Sequence, residues 1–166
     1  MKRGYAAIGL DRPKNGVNVG HALRASGCYG ASILVVSGFR YHDSATDTMK
    51  VARRIPLVQV DDLHDAIPWD CVPVAVELKD GAKPLHNYSH PERAFYVFGP
   101  EDGTLGSRIL TWCRDVIYVP TFGCMNLAAC VNVVLYDRAV KRNEWATDEP
   151  LHFTRNSCAR RETSKP

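Results

Sequence analysis

The sequence predicts an α/β fold with a mostly parallel sheet flanked by helices. Short apolar runs with the length of buried strands alternate with helical spacings and polar connections. Some of these runs are apolar without a break, as in Ala31–Val36, which is typical of parallel strands covered on both faces. The 166 residues suffice for one core, so one domain is expected.

The first half of the chain alternates strand and helix. Asn18 is a good N-cap for a helix over Val19–Tyr29, in which Leu23 belongs to the apolar side and Arg24 lies on a different face. Turn residues separate the other elements of this half. These other elements are strands at Tyr5–Leu10, Ala31–Val36, Leu57–Val60 and Cys71–Val76, and a brief helix that begins at the Asp61-Asp62 cap and ends at Ile67.

The second half begins with a polar connection over residues 79–93 and continues the alternation. Its last helix, from about Asn126 to Lys141, is apolar nearly all round, so we expect it to be buried on more than one side, as in a subunit interface. The residues from Pro150 onward are polar and basic, which predicts a domain of residues 1–150 and a loosely ordered tail over 151–166. Between the polar connection and the last helix, the sequence predicts strands at Phe95–Phe98 and Val116–Val119 and a helix at Leu105–Cys113.

The composition argues against several classes of protein. No stretch approaches the roughly 18 apolar residues of a membrane span, and the first apolar run is too short for a signal peptide, so a cytoplasmic protein with no membrane partner is expected. The six cysteines show no C-x-x-C spacing, which favours reduced, mostly buried thiols. The scattered histidines predict no metal site.

The charge is distributed unevenly along the chain. Nine Lys/Arg face three Asp/Glu in residues 1–54, eight face fourteen in 55–150, and four face one in 151–166. Basic ends that converged in the fold, or across a dimer, would form a surface suited to a phosphate backbone. The alternative is a set of solvated faces, which the charge counts alone favour.

Function is expected where two predicted strands end in turns that carry Gly and Pro. These turns are Gly99–Leu105 and Pro120–Asn126. In an open α/β sheet, ligands bind outside the carboxyl ends of the strands, so the two turns should form a small-molecule site. The chain has no Walker phosphate loop, no G-x-G-x-x-G after the first strand, no H-E-x-x-H and no G-x-S-x-G.

Three segments together carry a resemblance to a known family. They are Asn18-x-Gly20-x-x-x-Arg24 with Tyr29-Gly30, then Phe98-Gly99-Pro100-Glu101-x-Gly103-x-Leu105, then Val119-Pro120 followed by Cys124-Met125-Asn126-Leu127. In this order they resemble motifs 1, 2 and 3 of the SpoU/TrmH-type RNA ribose methyltransferases of the SPOUT superfamily. The resemblance covers residues 5–142 and is greatest to the short members that act on the tRNA wobble nucleotide.

The resemblance implies a fold, a reaction and partners. The C-terminal part of the sheet would be tied into a deep trefoil knot, and the protein would be a homodimer. S-adenosylmethionine would bind between the loops of motifs 2 and 3, and its methyl group would pass to a ribose 2′-hydroxyl of RNA. tRNA is the expected substrate, and an rRNA-specific member of the family is an alternative.

The family motifs also imply site residues in this chain. Arg24 would act on the 2′-hydroxyl. A guanidinium is a poor base, so orienting the hydroxyl and its phosphate is physically easier for it than taking the proton. Glu101 would pair with Arg24 or hold the ribose, while Asn18 and Asn126 would fix the arrangement by hydrogen bonds. The expected cofactor-binding residues are Val76, Gly99, Val119, Cys124, Met125 and Leu127.

The chain departs from the family pattern at three places. Cys124 and Ala128 stand where members commonly have Ser, so two hydroxyl donors are missing near the cofactor loop. Motif 1 has the extra residues 15–17 where relatives are tighter. The missing hydroxyls leave a second hypothesis, a catalytically weak or inactive knotted protein that binds RNA. A third is a doubly wound nucleotide-binding protein of unrelated chemistry.

Overall fold

A seven-stranded sheet, in which every pair of neighbouring strands is parallel, runs through the protein. The computed structural model describes residues 4–38 and 51–144. The strands are β1 (Tyr5–Asp11), β2 (Ile33–Ser37), β3 (Leu57–Val60), β4 (Val72–Val76), β5 (Lys83–Pro84), β6 (Arg93–Phe98) and β7 (Asp115–Tyr118), in the spatial order β3-β2-β1-β6-β4-β7-β5. The helices are α1 (Gly16–Tyr29), α2 (Ser107–Trp112) and α3 (Leu127–Lys141), with short 3-10 turns at Val51–Arg53, Leu63–Ala66 and Leu85–Asn87.

Both faces of the sheet are covered, which explains why its strands lack polar alternation. Along β6, Tyr96 and Phe98 join the core beneath α1 and α3, whereas Phe95 and Val97 join the core beneath α2. All four side chains are at most 2% exposed. Burying a large apolar side chain contributes roughly 1.5–3 kcal/mol, so this central strand anchors both layers. The predicted α/β class with a mostly parallel sheet is confirmed.

Helices α1 and α3 lie side by side and run in the same direction. Their first turns are joined by a hydrogen bond between Asn18 and Asn126, and further along each helix Tyr29 meets Tyr136 edge to face, with ring centroids 6.4 Å apart. Both N-termini therefore meet at the carboxyl edge of the sheet. Each helix N-terminus carries a partial positive charge and unpaired backbone N–H groups, so this edge favours negatively charged groups.

The predicted start of the first helix is wrong by three residues. Asn15, with extended backbone angles, is the N-cap of α1, and its side chain accepts a hydrogen bond from the backbone N–H of Val17 at 2.9 Å. Asn15 and Asn18 have the same capping chemistry, and the earlier one caps the helix. The side chain of Asn18, 8% exposed within the first turn, is thereby available for another contact.

Two further predictions need correction. The connection over 79–93 contains β5 and the 3-10 turn Leu85–Asn87, because the short strand adds to β7 as an edge strand. The thiols are less buried than predicted, since Cys28 and Cys124 are exposed, although Cys71 is buried and the five described cysteines are free. The predicted tail over 151–166 and residues 39–50, which precede the 3-10 turn at Val51–Arg53, lie outside the described residues.

Helix α3 is only partly covered within one chain. Val131, Val134 and Leu135 are at most 1% exposed, but Tyr136 and Val140 on the other side are 52% and 45% exposed.

Among the described residues, no helix is long and apolar enough to cross a membrane. The described part of the chain also contains no group of three His, Cys, Asp or Glu side chains that could hold a metal ion.

A polar cluster lies at the amino edge of the sheet, below α3. The fully buried imidazole of His90 contacts the Tyr96 hydroxyl at 2.6 Å through Nδ1 and the Asp137 carboxylate at 2.8 Å through Nε2. Arg138, 2% exposed, donates to the carbonyls of Pro91 and Glu92. Burial lowers the pKa of His90, although the Asp137 carboxylate opposes this shift. A neutral imidazole that donates from Nε2 and accepts at Nδ1 satisfies both neighbours.

We expect His90 to make stability depend on pH. Because the pKa of His90 is lower in the folded chain, the unfolded chain binds more protons between that pKa and about 6.5. The free energy of unfolding should therefore fall as the pH is lowered through this window, by up to roughly 1.4 kcal/mol per pH unit from this group. Chemical denaturation at a series of pH values should show a shallower slope for His90→Gln.

The control is His86→Gln, which changes an exposed histidine of the neighbouring turn. It should keep the wild-type slope. A His90→Gln slope equal to that of the wild type would show that His90 does not carry this pH dependence.

Candidate active site

A chain of side-chain hydrogen bonds connects three distant segments at the carboxyl edge of the sheet. Asn126, just before α3, donates from Nδ2 to Oδ1 of Asn18 in α1 at 3.0 Å. Asn18 donates from Nδ2 to Oε1 of Glu101, which follows β6, at 2.7 Å. We call these three residues the polar network. The hydrogen bonds predicted for the two asparagines are present, and the catalytic role of the network stays a prediction.

The carboxylate of Glu101 is also held by the backbone of the loop between β1 and α1. The N–H of Lys14 donates to Oε2 at 2.7 Å, and the N–H of Asn15 donates to Oε1 at 3.3 Å. Burial alone would raise the pKa of Glu101, but the hydrogen bonds from Asn18, Lys14 and Asn15 outweigh it and lower this pKa. Glu101 is thus a stable anion and a weak base. Of the extra residues 15–17, Asn15 supplies one of these N–H groups, while residues 16 and 17 belong to the first turn of α1.

Asn126 has two structural roles. Its Oδ1 accepts the N–H groups of Ala128 and Ala129 at 3.0 and 3.2 Å, so it is the N-cap of α3. Its Nδ2 belongs to the polar network. One amide therefore sets both where α3 begins and how α3 is joined to α1.

Three of the predicted cofactor-binding residues lie at the ends of adjacent strands. Val76 is the last residue of β4, Gly99 follows β6 directly, and Val119 follows β7 directly. Because β4 lies between β6 and β7 in the sheet, these residues lie side by side at the carboxyl edge, and we call the space outside these three strand ends the crevice. A Cβ on Gly99 would lie 3.2 Å from the backbone nitrogen of Leu105, which is tighter than ordinary van der Waals contact. Glycine lets the loop after β6 fold back closely on itself.

Glu77 is a feature of this crevice that the sequence analysis missed. Its carboxylate accepts the N–H of Leu105 at 2.6 Å through Oε2 and the N–H of Leu78 at 2.9 Å through Oε1. It therefore ties the loop after β6 to the end of β4. The available signal was an acidic residue directly after a predicted strand, next to the predicted site.

The remaining predicted cofactor-binding residues belong to the loop between β7 and α3 or to the start of α3. Cys124 is exposed, Met125 is partly exposed, and Leu127 is 7% exposed within the core beneath α3. An adenosyl group presents an apolar surface and a few hydrogen-bonding atoms. The apolar strand ends, the exposed loop and the close approach at Gly99 fit such a group.

Arg24 lies outside the polar network. Its side chain is exposed, whereas Leu23 beside it is 2% exposed, so the predicted difference of face is confirmed. Six residues of α-helix separate it from Asn18, which places its Cα about 9 Å further along α1 and on a different side of the helix. The structure thus groups Asn18, Glu101 and Asn126, with Arg24 a turn and a half away.

Several known proteins have a similar fold. The SpoU methyltransferase AviRb from Streptomyces viridochromogenes in complex with AdoMet superposes with a TM-score of 0.76 at 19% identity, over 86% of this chain and 62% of that one. The A. aeolicus TrmH/SpoU tRNA modifying enzyme has a TM-score of 0.75 at 18% identity, over 87% and 77%. A structure that concerns the 2-OH methylation of C/U34 on tRNA has a TM-score of 0.73 at 19% identity, over 86% and 94%.

At these identities the superpositions establish the fold. The chain spans about three fifths of the length of AviRb. Among curated proteins, none matches the sequence. The sequence profile of the SpoU rRNA Methylase family matches residues 5–136, which include the polar network and the crevice beside it. The chain therefore belongs to the SpoU rRNA methylase family.

Proposed function

We propose that this protein is an S-adenosylmethionine-dependent RNA methyltransferase that modifies a ribose 2′-hydroxyl, with tRNA as its substrate. The observation that carries the proposal is the polar network of Asn126, Asn18 and Glu101 beside the crevice at the ends of β4, β6 and β7. Asn18, Glu101 and Asn126 come one each from the three segments that resemble the family motifs, and the family match covers all three segments.

The cofactor would lie along the crevice. Val76, Gly99 and Val119 would contact its adenosyl part, and the loop from Cys124 to Leu127 would close over it. S-adenosylmethionine, when bound, supplies an electrophilic methyl group. Two observations support this placement: AviRb superposes on the chain in its complex with AdoMet, and Glu77 holds the loop after β6 in one position.

The proposed roles of the charged groups follow from their geometry. Glu101 accepts three hydrogen bonds and has a lowered pKa, so it holds the loops of motifs 1 and 2 together and does not act as the base. Arg24 presents an exposed guanidinium whose planar donors suit a phosphate oxygen and a ribose hydroxyl. It would orient the ribose hydroxyl and the adjacent phosphate for methyl transfer.

tRNA is proposed over rRNA because two of the superposed structures concern tRNA. The structure that concerns C/U34 of tRNA superposes over 94% of its own length. The family name refers to rRNA, so rRNA is the alternative substrate. A methyl-transfer assay with both RNAs distinguishes the two.

A homodimer is part of the proposal. Val17 on α1 and Tyr136 and Val140 on α3 are large apolar side chains that are 42–52% exposed, on the two helices that pack together. Pairing two copies through these helices would cover them. The deep trefoil knot in the C-terminal part of the sheet, the extent of the domain to residue 150 and the cytoplasmic location also stay predictions.

Cofactor binding tests the polar network. In calorimetric titration with S-adenosylmethionine, the wild type should bind in the micromolar range. Asn126→Asp keeps an acceptor for the cap of α3 but cannot donate to Asn18, so affinity should fall by about tenfold or more. Asn126→Ala loses both contacts and should also lower the free energy of unfolding by about 1 kcal/mol.

The control is Asn87→Asp, which changes an exposed asparagine in the 3-10 turn at the amino edge. It should bind the cofactor like the wild type. Equal affinity for the wild type and Asn126→Asp would show that the network does not organise the cofactor site, and absence of binding by the wild type would contradict the proposed function.

Methyl transfer tests Arg24. With labelled S-adenosylmethionine and unmodified tRNA transcripts, Arg24→Ala should abolish transfer and leave the affinity for the cofactor nearly unchanged, because its role is at the ribose. Arg24→Lys should recover only part of the rate, since an ammonium lacks the planar fork. Arg114→Ala changes an exposed arginine before β7, at the opposite edge, and should retain full transfer. Wild-type turnover by Arg24→Ala would refute the assignment.

The second candidate is an RNA-binding protein without transfer activity. It is favoured by Cys124 and Ala128, which stand where the family commonly has Ser; Cys124 is exposed at the loop, and Ala128 is 3% exposed in the first turn of α3. Such a protein would bind RNA and fail to methylate it. The variant Cys124→Ser with Ala128→Ser should then gain cofactor binding.

A further inference from the structure

Phe122 is the most exposed large apolar side chain of the described residues. Its side chain is fully exposed to solvent. It lies at the tip of a tight turn, in which the hydroxyl of Thr121 donates to the carbonyl of Gly123 at 2.7 Å. The turn holds the ring out into solvent and buries none of it.

The turn lies directly at the candidate active site. Phe122 is in the loop between β7 and α3, four residues before Asn126 of the polar network, so the two Cα atoms are at most about 14 Å apart. Leu78, 77% exposed, follows the neighbouring strand β4 at the same edge. The ring is therefore close enough to reach a nucleotide next to one held at the network.

We propose that Phe122 stacks on a nucleobase of the RNA substrate that adjoins the methylated nucleotide. This inference rests on the proposed function and adds a contact that positions the RNA. Proteins bind unpaired bases by stacking them on aromatic side chains, and every base has a face for such a contact. A single ring on a short turn matches a single base.

The surroundings favour RNA over a protein partner. The exposed cations Arg12 and Lys14 lie in the loop that follows β1, at the same edge of the sheet, where they pair with Asp11 at 3.2 Å and Asp102 at 3.5 Å. Arg24 is exposed further along α1. A phosphate backbone binds such positive groups in competition with these carboxylates. The apolar residues proposed for the dimer include Tyr136, which lies more than two helical turns further along α3. One isolated ring is also far below the area of a stable protein interface.

The test compares variants of Phe122 in the full chain. Binding of unmodified tRNA transcripts and of a short single-stranded RNA is measured in the presence of S-adenosylmethionine. Phe122→Ala should weaken RNA binding by about 5- to 150-fold, the loss that corresponds to one base–aromatic stack. Phe122→Tyr should bind nearly like the wild type, whereas Phe122→Leu, apolar but without a ring face, should resemble Phe122→Ala.

Trp69 provides a matched control. It is 90% exposed in the turn before β4, at the opposite edge of the sheet, so Trp69→Ala removes an equally exposed aromatic ring and should leave RNA binding unchanged. Calorimetry with S-adenosylmethionine and the molecular mass in solution should be the same for the wild type and Phe122→Ala.

Three outcomes would overturn the inference. Phe122→Ala that binds and methylates RNA like the wild type would show that no base depends on the ring. A lower mass for Phe122→Ala would assign the ring to the contact with a second copy of the chain, and a loss of cofactor affinity would assign it to the cofactor. Wild-type protein that binds RNA through Phe122 but transfers no methyl group would refute the proposed function and leave the stacking contact standing.

Discussion

The Glu101 carboxylate holds the loop after β6 against the segment between β1 and α1, which is distant from it in the sequence. It accepts hydrogen bonds from the backbone of the loop after β1 and from Asn18, and Asn18 is in turn held by Asn126. These contacts bring the ends of β1 and β6 and the starts of α1 and α3 to one place. A charge-assisted hydrogen bond is stronger than a neutral one, so the anion fixes the relative position of these loops. The geometry of the candidate site depends on it.

The two edges of the sheet differ in how they are held. At the amino edge, Arg138 and His90 are buried with partners that satisfy them, and the cluster lies beneath α3. At the carboxyl edge, the loops are exposed and are joined mainly by polar contacts such as those of Glu77 and Asn18. Loops that bury little apolar surface open more easily than the core. The loops at the carboxyl edge are therefore expected to open more readily than the amino edge.

Much of the fold could be predicted because buried parallel strands leave a strong local signal. Runs such as Ala31–Val36 have one dominant interpretation, and strand ends locate a ligand site in this class of fold. Less could be predicted where two residues with the same side-chain chemistry could take the same structural role. Asn15 and Asn18 are both good caps, and only the contact with Glu101 explains the role of the second. Glu77 was missed because an acidic residue after a strand becomes informative only when its hydrogen-bond partners are known. Phe122 was missed because an aromatic residue in a turn becomes informative only when its exposure is known.

The asparagine amides of the polar network have a direction. Backbone N–H groups of α3 donate to Asn126, Asn126 donates to Asn18, and Asn18 donates to the Glu101 anion, so every bond points the same way. Each amide must accept on one side and donate on the other. A carboxylate at either position could only accept, and an ammonium could only donate. Positions 18 and 126 are therefore interdependent. A substitution at one of them preserves the hydrogen bonds only if the other position changes to match, so these two positions should vary together among related sequences.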